Sequence, residues 1–217
     1  MTKKVAVILS GCGVYDGAEI HEATLSLLAL DQAGYAVQCF APDIAQMHVV
    51  NHITGEEMDE SRNVLIEASR IARGDIKALS ELNVDDYDAL YLPGGFGAAK
   101  NLCDFAVKGA ECSVNSDVER TLTAAQSAGK PIVALCIAPA ILAKLFKGAK
   151  VTVGAKSDAA DTMSEGLGAD HVVTTHGEIV IDEQRNLITS PCYMLEATIS
   201  QIYEGAKNAV DALEQRL

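Results

Sequence analysis

Cys136 sits where an aliphatic run gives way to small residues, in Lys130-Pro-Ile-Val-Ala-Leu-Cys-Ile-Ala-Pro-Ala140. The spacing predicts a buried strand over Pro131–Leu135 running straight into a helix over Ala138–Phe146. A strand–turn–helix junction this tight forces its side chain outward, above the carboxyl ends of the strands. N–H groups at the start of the helix would then face the sulfur and favour thiolate. Pro139 fits the first helical turn, where a missing donor costs nothing. The competing reading is a small hydrophobe that merely ends a buried strand.

Two further segments gain meaning beside such a nucleophile. Asp88-Ala-Leu-Tyr-Leu-Pro-Gly-Gly-Phe-Gly97 predicts a strand ending in a glycine-rich loop. Alone, a glycine pair marks a tight turn. Next to a reactive cysteine, the loop places Gly94 and Gly95 at the substrate, with the N–H groups of Gly95 and Ile137 paired on a developing oxyanion. Glu22 follows a predicted helix start at Asp16-Gly-Ala-Glu19, where Asp16 and Glu19 have N-cap spacing. Capping explains Glu19 but not Glu22, which falls on the same rim as Cys136. A carboxyl facing a thiolate has its pKa raised by like charge and burial, and can donate a hydrogen bond. The alternative is an exposed helix glutamate.

Other chemistries lack their residues. GxxxxGK[ST] is absent, and Gly11-Cys-Gly13 does not complete a dinucleotide fingerprint. Six cysteines show neither CxxC nor zinc spacing, so neither cofactor nor metal is expected. The net charge of −13, from 30 acidic and 17 basic residues, disfavours nucleic acid and anionic membrane surfaces as partners. No apolar run approaches the ~20 residues that span a bilayer. Ser10-Gly-Cys-Gly13 interrupts the first apolar stretch too early for a signal peptide, which leads to the expectation of a cytoplasmic protein with reduced thiols.

The elements that must position these residues alternate strand and helix from the start, as in an α/β protein with a mainly parallel sheet. Strands are expected at Lys4–Leu9 (central), Ala36–Ala41, Asp88–Leu92, Pro131–Leu135 and Lys150–Val153. Val172–Thr175, Ile179–Asp182 and Leu187–Thr189 read as shorter strands, partly antiparallel. Helices are expected after Glu19 with Ile20, Ala23, Leu27 and Leu30 facing inward, then near Arg62–Ala72, Asp75–Leu82 and Asp117–Ala128. The polar stretch from Pro42 to about Ser61 reads as an irregular excursion. A C-terminal stripe of Leu195, Ile199, Ile202, Ala206, Val210, Leu213 and Leu217 marks a last helix. With 49% hydrophobic and 22% charged residues and no linker, residues 1–217 read as one domain.

Asp-Ala-Leu-Tyr-Leu-Pro-Gly-Gly, followed some forty residues later by Val-Ala-Leu-Cys-Ile-Ala-Pro-Ala, resembles the superfamily of PfpI proteases, deglycases and class I glutamine amidotransferases. Within it, Leu9-Ser-Gly-Cys-Gly-Val-Tyr-Asp-Gly-Ala-Glu-Ile-His-Glu22, Asn51-His-Ile-Thr-Gly-Glu56, Arg62-Asn-Val-Leu-Ile-Glu-Ala68 and Pro93-Gly-Gly-Phe-Gly-Ala-Ala-Lys-Asn101 resemble the ElbB-like family, isoprenoid-biosynthesis glyoxalases. The resemblance covers essentially the whole chain. It implies a flavodoxin-like three-layer sandwich, commonly a homodimer, with Cys136 at the elbow and Glu22 contacting it. It also implies cofactor-independent conversion of glyoxal to glycolate, or protein deglycation. The chain departs from that pattern where relatives carry a histidine: Gly154-Ala-Lys156 occupies the position. His176 is expected on a surface loop, and His21 points about 100° away from Glu22 around the helix. A Cys–His pair is therefore not expected, and neither peptidase nor amidotransferase activity follows. The leading expectation is a slow, cysteine-dependent aldehyde enzyme; the alternative is a redox sensor or regulatory binding protein using the same oxidisable thiol.

Overall fold

Alternate residues of the first strand serve opposite cores. In β1 (Lys4–Ile8), Val5 and Val7 pack with Leu9 on one side, while Ala6 and Ile8 face the other, all five fully buried. Such double burial is characteristic of parallel sheets covered by helices on both faces. The computed structural model describes residues 2–217.

After β1 come α1 (Ile20–Gln32), β2 (Ala36–Ala41), α2 (Val64–Ile71), β3 (Ile76–Ala78) and β4 (Ala89–Leu92). A π-helical turn at Ala98–Leu102 leads to α3 (Phe105–Lys108), α4 (Ser116–Ser127), β5 (Ile132–Leu135) and α5 (Pro139–Leu145). The chain ends with β6 (Lys150–Val151), α6 (Asp158–Asp161), β7 (Asp170–His171), β8 (Val180–Asp182), β9 (Leu187–Ser190) and α7 (Ile199–Glu214). Seven strands form the main sheet in the order β3-β2-β1-β4-β5-β9-β8; every pairing is parallel except β8 with β9. Helices α1, α2 and α7 cover one face, and α4 and α5 the other. The expected α/β, flavodoxin-like sandwich is what the chain forms.

Four local expectations are corrected. Asp75–Leu82 is not a helix: Ile76–Ala78 pairs with Cys39–Ala41 as an edge strand and a 3₁₀ turn follows. A short edge strand exists through its partner, which local periodicity does not report. Val172–Thr175 is not a strand; the pairing falls two residues earlier, Asp170–His171 against Lys150–Val151. The N-cap of α1 is Glu19 rather than Asp16, its carboxylate accepting the Glu22 N–H at 2.6 Å. Asp16 instead accepts the Val50 N–H at 2.8 Å, tying the irregular excursion over the loop that follows β1. Ile20 and Ile199, each at a helix start, are exposed rather than inward-facing because the flanking stripes reach the sheet only one turn later.

The strand order reverses direction between β1 and β4, since β1 continues to β2 on one side and β4 lies on the other. Crevices at the carboxyl ends of strands beside such a switch are where open α/β sheets bind ligands. Glu22, Gly94, Cys136 and Tyr193 all lie just beyond such ends, after β1, β4, β5 and β9 respectively.

Candidate active site

Cys136 follows β5 directly, and its N–H donates to the Ser190 carbonyl at 2.9 Å, so the residue is still held by the neighbouring strand. Its φ is +59°, a left-handed conformation that a side chain adopts only at some cost. The turn through Ile137 and Ala138 then reverses the chain into α5, whose first turn contains Pro139. This is the sharp elbow expected at the junction.

Gly94 lies between the cysteine and Glu22. A Cβ placed on it would sit 2.5 Å from Glu22 Oε2 and 2.9 Å from Cys136 Sγ, and closer still to Cys136 Cβ. The two functional side chains therefore meet across a residue that has to be glycine. Gly95, at φ +98°, has no room for a side chain either, because the backbone of Gly17, Ala18 and Glu19 presses against it. The loop after β1 and the loop after β4 are interlocked: Gly94 O accepts from Glu19 N at 2.9 Å, and Gly97 N donates to Gly17 O at 2.8 Å. Asn101 staples them further, donating to the carbonyls of Ser10 and Asp16 at 2.9 Å each and accepting the Met47 N–H at 2.9 Å.

Glu22 is fully buried. Gly94 N–H donates to its Oε2 at 3.0 Å and Tyr193 N–H to its Oε1 at 3.1 Å. Burial raises its pKa to about 8, outweighing those two donors and the Cys136 contact, with Glu19 adding to the rise. Glu22 is thus a protonated acid at neutral pH, not an exposed helix glutamate. Cys136 faces this carboxyl across Gly94, and Glu22 and the Gly95 backbone both act on its pKa.

The expectation of a resting thiolate is not met. Cys136 is only 7% exposed, and burial, followed by the facing Glu22, pushes its pKa well above the ordinary thiol value. The backbone group that counters this rise is Gly95 of the β4 loop, not one from the start of α5. The oxyanion assignments divide likewise. Gly94 spends its N–H on Glu22, so its role is to admit the close approach rather than to donate to substrate. Ile137 N–H has no protein acceptor among the described residues, and both Ile137 and Gly95 line the cavity onto which Cys136 opens.

That cavity measures about 530 Å³. No histidine is among the described residues that line it. His176 is a half-buried residue in the turn before β8, with its Nε2 2.8 Å from Glu196 O. His21 is exposed on α1, and its Nδ1 lies 2.8 Å from the Tyr193 hydroxyl. Tyr193 is the functional residue that sequence reasoning missed: its N–H fixes Glu22, its ring lines the cavity, and its hydroxyl meets His21. Cys192 before it takes a φ of +44°, aiming that N–H. Nothing in the local sequence after β9 marks either residue, because their role depends on α1 lying opposite. Among the described residues there is also no cluster of His, Cys, Asp or Glu arranged to hold a metal.

A model of the DJ-1/PfpI family matches residues 3–196. The human protein named glutamine amidotransferase-like class 1 domain-containing protein 3, mitochondrial, is 47% identical over 211 residues, covering 93% of this chain and 79% of its own length. Among solved structures, an isoprenoid biosynthesis protein with an amidotransferase-like domain from Ehrlichia chaffeensis superposes with a TM-score of 0.92 at 32% identity, over 99% of this chain and all of the other. Glyoxalase III from Candida albicans shares the fold at a TM-score of 0.63 and 16% identity, over 99% and 97% of the two chains. The mitochondrial relative overturns the cytoplasmic expectation. Charge, reduced cysteines and the first apolar stretch are properties of the folded domain, whereas a cellular address is read separately from it.

Proposed function

This chain belongs to the DJ-1/PfpI family, and from that premise we propose that it converts small 2-oxoaldehydes, with glyoxal the minimal case, to 2-hydroxy acids through Cys136 without a cofactor. The observation that carries the reading is a strained elbow cysteine on the wall of an accessible cavity, facing a buried, protonated carboxyl behind it. Within the family, the ElbB-like assignment is supported by the likeness to the Ehrlichia isoprenoid biosynthesis protein.

The thiol adds to one aldehyde carbon: an S–C bond forms, the C=O π bond opens, and the thiol proton leaves as the new oxygen gains one. Glu22 suits this exchange, since it can take the thiol proton while handing over its own. Gly95 and Ile137 both line the cavity beside Cys136, which supports their N–H groups as the donors to the developing oxyanion. Glu22, still protonated, hands its proton to the second carbonyl oxygen as it takes the C–H proton of the hemithioacetal, giving an enediol; it then delivers that proton to the second carbon while accepting the hydroxyl proton of the first. The first carbon is thereby oxidised to a thioester and the second reduced to an alcohol. Water cleaves the thioester, releasing the 2-hydroxy acid and restoring the thiol. With the thiol protonated at rest and no imidazole in the cavity, turnover is slow.

Burial and a raised pKa weigh against the redox-sensing alternative, because oxidation follows thiolate character and exposure. Absence of histidine from the cavity weighs against peptidase chemistry. The test is glycolate production from glyoxal by the purified protein and by Cys136→Ala, with the fold of the variant checked by circular dichroism. Loss of production in a folded variant supports the mechanism; an unchanged rate ends it.

A further inference from the structure

The main sheet ends on one side at β8, which pairs with β9 and with no strand beyond it among the described residues. Glu178 O accepts from Ser190 Oγ at 3.0 Å and Val180 O from Thr189 Oγ1 at 3.5 Å, so both carbonyls face β9. Backbone groups alternate in direction along such a strand, which turns those of Ile179 and Ile181 away from the sheet. They open onto a groove of about 850 Å³. Its walls come from opposite faces of the sheet. Helix α7 forms one, through Glu204, Asn208 and Asp211. The other is the stretch 172–174, held beside β6 by Val172 N–H to Val151 O at 2.9 Å and Thr174 N–H to Gly154 O at 3.2 Å. The groove shares no residue with the cavity before Cys136.

A free strand edge between two walls suits an added strand: the edge supplies main-chain hydrogen bonds, and the walls read alternate side chains. The two walls differ in chemistry. On the α7 side Glu204 has no hydrogen-bond or ion-pair partner among the described residues, while Asp211 is paired with Lys207 at 2.5 Å. Glu178, on the floor, accepts from Thr175 N–H at 2.6 Å. Against these carboxylates, Lys150 is the one lysine or arginine among the described lining residues. The opposite wall presents Val173, an aliphatic side chain left 56% exposed. A second copy of this chain, at a net charge of −13, would bring like charge to the acidic wall.

We infer that the β8 groove binds a partner protein through an extended basic segment, in which lysine or arginine facing α7 alternates with aliphatic residues facing Val173. The segment adds to β8 as a strand, its main-chain groups pairing with those of Ile179 and Ile181. Nothing in this depends on the Cys136 chemistry, and glyoxal turnover should be unchanged when the groove is altered.

The experiment measures, by fluorescence anisotropy, binding of labelled octapeptides repeating Lys-Val, Lys-Lys-Val-Val or Glu-Val. The proteins are the wild type and Glu204→Lys, with the fold of the variant checked by circular dichroism. The Lys-Val peptide should bind about tenfold more tightly than either of the others, and Glu204→Lys should weaken it roughly threefold to tenfold. N-methylation of one alternate set of its amides should abolish binding, and of the other set should be tolerated, because only one edge of the peptide meets β8. Equal binding of the Lys-Val and Lys-Lys-Val-Val peptides would mean unspecific attraction to an acidic surface and overturns the proposal. Indifference to Glu204→Lys, or no binding of the Lys-Val peptide, does the same. A wild-type dimer in sedimentation that Val173→Arg dissociates gives the groove to a second copy and also overturns it.

Discussion

Exchanging Glu22 for Gln keeps the volume of the side chain and removes its proton equilibrium. In the folded wild type, burial raises the Glu22 pKa from 4.5 to about 8. Between those values the native state holds the proton and the unfolded chain releases it, so stability falls as pH rises through the window. Below it both states are protonated and nothing is lost; above it the full cost of a buried carboxylate is felt. At about 1.4 kcal/mol per pH unit, integration from about pH 5 to about pH 8 gives a loss of about 3 kcal/mol. Glu22→Gln should escape this loss, while the titrations of all other groups cancel in the comparison. The assay is urea unfolding of both proteins, followed by circular dichroism, at several pH values across that range. The wild-type stability minus that of the variant should fall by about 3 kcal/mol from the acid to the alkaline end. Parallel stability profiles would refute the reasoning. They would mean that the Gly94 and Tyr193 N–H groups outweigh burial and that Glu22 is an ordinary carboxylate in the fold.

Gly94→Ala drives a methyl group between Glu22 and Cys136. It should lower glyoxal turnover by about 100-fold and stability by about 2 kcal/mol, read by steady-state kinetics and denaturant midpoints. A fully active alanine variant would show that the two side chains need not touch. At φ +59°, Cys136→Gly should be more stable than Cys136→Ala by about 1 kcal/mol in the same unfolding assay, although both lose the thiol. Equal stabilities would remove the case for a strained elbow.

Residues 132–140 determined the elbow by themselves: four aliphatic residues, a cysteine and small residues leave little choice but a buried strand turning at once into a helix. Gly94 and Gly95 were equally legible as a strand-end loop, since glycine pairs have local conformational meaning. The alternation of strand and helix, a periodicity within each segment, fixed the layered α/β architecture in the same way. Tertiary structure decided what segments cannot encode alone. The edge strand Ile76–Ala78 needs β2 beside it, and the capping role moved from Asp16 to Glu19 because the excursion claimed Asp16. Tyr193, 171 residues from Glu22, orients that carboxyl only because the loop after β9 folds onto α1. The protonation states of Cys136 and Glu22 also belong to the tertiary structure. A pKa answers to burial and to every charge and donor in reach, and those neighbours come together only when the sheet assembles.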